Sequence, residues 1–249
     1  MAKFKLLTVD GNPKIVKGDK SGEYLTGILH LAPATASVPF GGFNTCPAAS
    51  AGCITACLHT AGRGGIPQHG RTDGHANAVA AARVRKTIAF LRDREAFLSD
   101  LVADIRKLAK LAESRGAKPA VRLNGTSDLR WEAIRIGEHA NIMEAFPNVQ
   151  FYDYTAIHAR VTPRNYHLTV SRKETTTDEQ ARAVLASGRS VAVVFAIRKG
   201  QPLPATWNGV TVIDGDLTDL RFTDPDGVVV GVRAKGRARR DASGFVVMP

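Results

Sequence analysis

From residue 25 onward, short apolar runs alternate with segments of helical period, and this alternation narrows the fold more than anything else in the chain. Residues 25–31, 120–124, 149–154, 166–170, 190–195, 210–213 and 228–232 read as strands. Residues 76–115 read as helix, because Val84, Ile88, Leu91, Leu98, Leu101, Ile105 and Leu108 recur at helical spacing. Forty residues exceed an ordinary helix, and the charged run 92–95 marks a break. Residues 131–145 and 178–187 read as further helices, the second with Thr177 as N-cap and Gly188 at its C-terminal end. Apolar strands alternating with helices predict an α/β fold whose mostly parallel sheet is covered on both faces. Six or seven strands fit an open or partial (β/α) barrel. The whole of 1–249 reads as a single domain, with a core over about 25–215 and a basic C-terminal strand or tail over 216–249.

The polar segments follow the strands. Asn124-Gly125-Thr126-Ser127-Asp128 follows the second, Ser171-Arg172-Lys173 the fourth and Asp214-Gly215-Asp216 a later one. In barrels and open α/β sheets the carboxyl ends of the strands build the site. The loop after the first core strand holds the chain's three cysteines, Cys46, Cys53 and Cys57, spaced C-x6-C-x3-C. Three clustered thiols cannot close into a set of disulfides. They suit three ligands of a metal centre with a fourth position open. A structural zinc site would take its fourth ligand from His59, His69 or His75. The wide spacing is unlike a zinc knuckle, and three thiols in one loop suit a [4Fe–4S] cluster with one free iron.

The formal charge is +11 and the isoelectric point about 9.9. Such a balance favours a nucleotide or nucleic acid as partner; an arginine-rich composition from a GC-rich genome gives the same number. Basic residues concentrate at 83–86, 92–94 and 233–240. As an extended strand, 233–239 would set Arg233, Lys235, Arg237 and Arg239 on one face, able to follow a phosphate backbone. The N-terminal stretch 1–7 lacks the pattern of a signal peptide, and no run is long and apolar enough for a membrane span, so the expected compartment is the reducing cytoplasm. Phosphate-loop, nucleophile-elbow and zincin motifs are absent.

The remaining constellations each carry two readings. The 124–128 turn presents backbone amides to an anion, or simply leads into the next segment with Asp128 near an N-cap. The acidic stretch 214–219 binds a cation or ribose, or is an Asp-Gly turn. His158 and His167 shuttle a proton or contact phosphate, or have no catalytic part. Tyr152 and Tyr154 share one face of their strand and Asp153 points opposite.

The cysteine triad on the loop after the first core strand, followed by helices alternating with parallel strands, resembles the radical S-adenosylmethionine enzymes over roughly residues 25–215. The resemblance lies in architecture. It implies a partial (β/α) barrel in which Cys46, Cys53 and Cys57 hold a [4Fe–4S] cluster. The methionine part of S-adenosylmethionine would chelate the fourth iron, and one-electron reduction would release a 5′-deoxyadenosyl radical. It further implies cofactor contacts from Asn124, Gly125 and Thr126 to the amino group and from Ser171 and Arg172 to the ribose and carboxylate. An electron-donor protein is an implied partner. The superfamily's usual spacing is C-x3-C-x2-C, and Ala56 stands where an aromatic usually precedes the last cysteine. The Asn-Thr-Cys-Pro and Leu-Asn-Gly-Thr-Ser-Asp segments are also similar to those of small bacteriophage cysteine-triad proteins. The alternative function is a basic nucleic-acid-binding protein whose cysteine loop holds a structural metal, zinc or an inert iron–sulfur cluster.

Overall fold

All seven strands read from the sequence form, and three short ones join them. In the computed structural model, which describes residues 3–9 and 22–249, ten strands make one sheet. Met1 and Ala2, part of the N-terminal stretch read above, lie outside the described residues. In chain order the strands are β1 (Leu7–Val9), β2 (Tyr24–Leu29), β3 (Lys118–Arg122), β4 (Gln150–Thr155), β5 (Tyr166–Ser171), β6 (Val191–Phe195), β7 (Thr206–Trp207), β8 (Val210–Asp214), β9 (Val229–Arg233) and β10 (Val246–Val247). The helices are α1 (Ala51–Thr55), α2 (Ala78–Arg92), α3 (Arg94–Ser114), α4 (Ile142–Ala145) and α5 (Asp178–Ala186).

The sheet order is β1-β2-β3-β4-β5-β6-β9-β8-β7. Strands β2 to β6, β9 and β8 are parallel, and antiparallel β1 and β7 end the sheet. The sheet is therefore mostly parallel but open, and it does not close into a barrel. β5 pairs with Val191 and Ala192 of β6, whereas β10 pairs with Val194 and Phe195. The two central strands thus part at their carboxyl ends, and β10 lies between them.

One face of the sheet packs on helices. Leu101, Ile105 and Leu108 of α3 are fully buried against Leu25, Leu29, Val121 and Phe151, each worth about 1.5–3 kcal/mol of burial. The long helical stretch breaks as its charges suggest. Asp93 ends α2 and its side chain accepts the Ala96 N–H, starting α3. Thr177 and Gln180 form a full capping box on α5. The other face carries Thr26, Arg122, Tyr152, Tyr154 and His167, and the segment around Leu220 and Phe222 covers part of it.

Two expectations are corrected. Residues 131–145 are not one helix but a 3-10 turn (Trp131–Ala133) and the short α4. The fully buried Trp131 donates its Nε1–H to Asn124 Oδ1 at 3.2 Å, and Gly137 at φ +54° turns the chain back between them. The basic C-terminal stretch is not an extended strand beyond Arg233. Gly236 at φ +55° opens a 3-10 turn (Gly236–Arg240), and the buried Ala238 pins it against Ala56 and Phe245. Its arginines fan outward instead of alternating. The stretch 216–249 also supplies β9, which sits inside the sheet, and β10.

Candidate functional site

The cysteine loop lies across the carboxyl ends of the parallel strands. Cys46 is held between the segments that follow β2 and β3: its Sγ accepts the Ala34 N–H at 3.3 Å and lies 3.9 Å from the Thr126 carbonyl. Ala34 adopts a left-handed backbone, φ +43°, uncommon for a residue with a Cβ. Cys53 sits on α1 and packs against the cluster of Ala56, Ala234, Ala238 and Phe245, on which Val194 of β6 and Val246 of β10 also pack. Cys57 follows α1 and lies near Arg83 of α2.

All three cysteines are half-buried, and none is in a disulfide. Burial, then the neighbouring Cys57 and Cys46, pushes the Cys53 thiol up to about 12. Burial also raises Cys46 against the pull of the Ala34 N–H and the Thr45 hydroxyl. It raises Cys57 against the pull of the His59 N–H and the Arg83 charge. Backbone N–H donors are aimed at two of the three thiols, Cys46 and Cys57. Soft sulfur donors of this kind suit iron–sulfur chemistry, and such N–H groups tune it. Among the described residues, no three His, Cys, Asp or Glu side chains are gathered in a group that would hold a metal ion.

Glu174, three residues past β5, fastens the loop. Its Oε1 accepts the Gly52 N–H at 2.8 Å and its Oε2 the Ser50 hydroxyl at 2.6 Å. Ser50 in turn caps α1 by accepting the Cys53 N–H at 3.2 Å. Lys173 Nζ donates to the Ala48 carbonyl at 3.2 Å. Sequence gave no signal for Glu174, because its partners lie 124 and 122 residues away. Ser50, one small polar residue before Ala-Gly-Cys, was legible as an N-cap and was missed.

Beside the thiols a cavity of about 670 Å³ opens between α2 and the 3-10 turn at Gly236–Arg240. Arg83, Arg237, Arg239 and Arg240 line it, and among the described residues no carboxylate does. The Phe40–His75 pair, whose ring centres lie 4.1 Å apart, also lines it. His59 also lines it, and both His59 Nδ1 and Arg83 Nε are buried without a hydrogen-bond partner among the described residues. The glycine-rich wall is held by Asn77, the N-cap of α2, whose amide donates to the carbonyls of Gly64 at 2.9 Å and Ile66 at 3.0 Å. A second cavity of about 610 Å³ adjoins the first at Gly65, Gly236 and Arg239.

With that geometry in place, comparison with known proteins adds one finding. A family model described as Gene product 88 matches residues 5–248. The chain belongs to the Gene product 88 family. This agrees with the likeness to small bacteriophage cysteine-triad proteins. No curated protein and no solved structure matches.

In this Gene product 88 chain the other residues singled out from the sequence divide by what they touch. Asn124 is an internal brace. Its Oδ1 accepts from Ser127 Oγ, Leu129 N and Trp131 Nε1, its Nδ2 donates to Leu129 O, and its backbone N–H donates to Asp153. Gly125 lies against the end of β2, its N–H on the Leu29 carbonyl at 3.0 Å. Thr126 donates its hydroxyl to Leu31 O at 2.5 Å and turns its carbonyl toward Cys46. Ser171 ends β5, and Arg172 donates to the Gly244 and Phe245 carbonyls just before β10. Asp128 pairs with buried Arg160, which also grips Glu132. Asp214 and Asp216 pair with Arg233, and Asp216 also with Lys235. His158 and His167 stand 3.5 Å from the Thr176 and Thr169 hydroxyls. Among the described residues no helix is long and apolar enough to cross a membrane.

Proposed function

We propose that Cys46, Cys53 and Cys57 hold a [4Fe–4S] cluster with one open iron, and that the protein is a radical S-adenosylmethionine-like enzyme acting on a nucleotide or nucleic acid. The observation that carries this reading is the placement of three cysteines on one loop at the carboxyl ends of parallel strands, with the Ala34 N–H donating to Cys46. When bound, such a cluster supplies one electron, which in enzymes of this kind cleaves S-adenosylmethionine to a radical that takes a hydrogen atom from the substrate.

The chain's own residues do the rest. Glu174, Ser50 and the Ala34 N–H fix the thiols before anything binds. Thr126 presents a backbone carbonyl beside Cys46, suited to the cofactor's amino group, with Asn124 and Gly125 holding that turn in place. Ser171 and Arg172 lie at the end of β5, in the position for the ribose and carboxylate. A basic surface draws a phosphate-bearing substrate, and an external reductant, a protein with a low-potential centre, supplies the electron.

The test is anaerobic purification with iron and sulfide analysis, followed by electron paramagnetic resonance of the reduced protein with and without S-adenosylmethionine. A reduced [4Fe–4S] signal that shifts on adding the cofactor is the expected result. Alanine at any one of the three cysteines should abolish it. A folded protein that takes up no iron and sulfide under reconstitution would sink the reading.

A second reading is favoured by the exposed Arg237, Arg239 and Arg240. There the protein binds nucleic acid and the cysteine loop carries zinc or an inert cluster. It predicts zinc in the purified protein and salt-dependent nucleic-acid binding indifferent to S-adenosylmethionine.

A further inference from the structure

We propose that the arginine-lined cavity between α2 and the 3-10 turn at Gly236–Arg240 is a binding site for a nucleoside di- or triphosphate, with the base against Phe40 and His75 and the phosphates on Arg83, Arg237, Arg239 and Arg240. This deepens the proposed function by naming its substrate class, and rests on it only for the ligand's role as substrate. Binding itself needs no cluster.

Charge is the first argument. Four guanidinium groups from two distant parts of the chain converge on one cavity whose lining, among the described residues, holds no carboxylate. Among the described residues no carboxylate pairs with Arg83, Arg237 or Arg240. Such like charges repel, and an anion removes the penalty. Guanidinium forks match phosphate oxygens two at a time. The second argument is the pair of unpartnered buried atoms, His59 Nδ1 and Arg83 Nε, on side chains that both line this cavity. Buried polar atoms ordinarily have partners, so these point to a ligand. The third is shape. A volume of about 670 Å³ falls within the range of small-molecule sites. The Phe40–His75 pair in its lining gives a base a face to lie on.

The adjoining cavity decides for a compact polyphosphate over a strand. A strand needs free positive charge along its length. In the second cavity Arg233 and Lys235 are already neutralised by Asp214 and Asp216, leaving Lys199 and the shared Arg239. The unneutralised charge is thus concentrated on the first cavity, where four arginines meet.

The experiment is isothermal titration calorimetry of the full chain with ATP, pyrophosphate and adenosine, before and after loading with iron and sulfide. ATP should bind most tightly, pyrophosphate less so, and adenosine roughly tenfold or more below ATP. Arg83→Gln should weaken ATP by about tenfold, as should Arg237→Gln with Arg240→Gln, a surface pair that leaves the fold intact. Phe40→Ala should weaken ATP and spare pyrophosphate. Arg198→Gln, exposed and outside both cavities, should change nothing. The proposal is overturned if ATP does not bind at millimolar concentration, if adenosine binds as well as ATP, or if Arg198→Gln matches the cavity variants. It is also overturned if a single-stranded oligonucleotide binds tightly and ATP cannot displace it. ATP binding that survives while no iron is taken up would separate this site from the cluster, retaining the first and rejecting the second.

Discussion

The Gly52 N–H donates to Glu174 Oε1 at 2.8 Å, joining the cysteine loop to the chain beyond β5 across 122 residues. The same carboxylate takes the Ser50 hydroxyl, and Ser50 caps α1 on Cys53. One acid thus sets where α1 starts and where Cys53 stands. Burial pushes the Glu174 carboxyl up, but its hydrogen bonds outweigh that and hold it below the ordinary carboxylate value. Glu174→Ala removes two charge-assisted hydrogen bonds and should cost about 1–3 kcal/mol in urea denaturation. Gly52→Ala should act in the same direction, since a Cβ there overlaps Ser243 Oγ and the Glu174 carboxylate. An unchanged urea midpoint in both variants would show that the loop holds without this link.

Strand positions were legible because buried parallel strands are continuous apolar runs, and the break between α2 and α3 because Arg-Asp-Arg-Glu interrupts a helical period. Helix 131–145 was misread because its composition permits helix, while Trp131 is drawn into the core by Asn124, a tertiary contact that no period encodes. The cysteines announced the site, but the cavity beside them did not. It joins Phe40, Arg83 and Arg240, three residues that only the fold brings together. The basic tail looked like a strand because its charges alternate, and Gly236 with buried Ala238 overrides that alternation.

Gly125 was read as part of a cofactor-binding turn, and its position adds a packing requirement. A Cβ at Gly125 would lie 2.7 Å from both Ile28 Cγ2 and the Leu29 carbonyl, and 2.8 Å from His30 Cδ2. Backbone oxygen cannot move aside without disturbing β2. Gly125→Ala should therefore cost about 1–3 kcal/mol, whether or not any cofactor is present. Thermal unfolding of the metal-free protein reads this directly. A variant as stable as the parent would mean that the turn relaxes freely.

Asp153 gives the fold a pH dependence of a definite sign. It is fully buried on β4, accepting the Tyr166 hydroxyl at 2.9 Å and the Asn124 N–H at 2.8 Å. Burial raises its carboxyl to about 7, against the pull of Arg122 on β3, those two hydrogen bonds and Arg160 beyond β4. The unfolded chain releases this proton near pH 4. Between about 4 and 7 the folded state binds more protons, so this group's contribution is full below 4 and is lost as pH rises through 7. Replacing it by Asn removes the titration. The stability of the parent relative to Asp153→Asn should fall by about 1–3 kcal/mol from pH 5 to pH 8. A difference that stays constant across that range would refute the assignment.

Asn77 ties helix α2 to the wall of the arginine-lined cavity. Its Oδ1 accepts the Ala80 N–H at 2.9 Å as the helix cap, and its Nδ2 holds the carbonyls of Gly64 and Ile66. The two tasks separate by substitution. Asn77→Ala loses both, and should cost about 1–2 kcal/mol through the cap alone. Asn77→Asp keeps the acceptor for Ala80 but replaces the two N–H donors of Nδ2 with one carboxylate oxygen facing two carbonyls. It should retain most of the cap while freeing the glycine-rich wall. Trypsin should then cut after Arg71, on the exposed part of that segment, faster than in the parent for both variants, with the stability loss greater for Ala. Equal cleavage rates in parent and Asn77→Asp would show that the wall is held by something other than this amide.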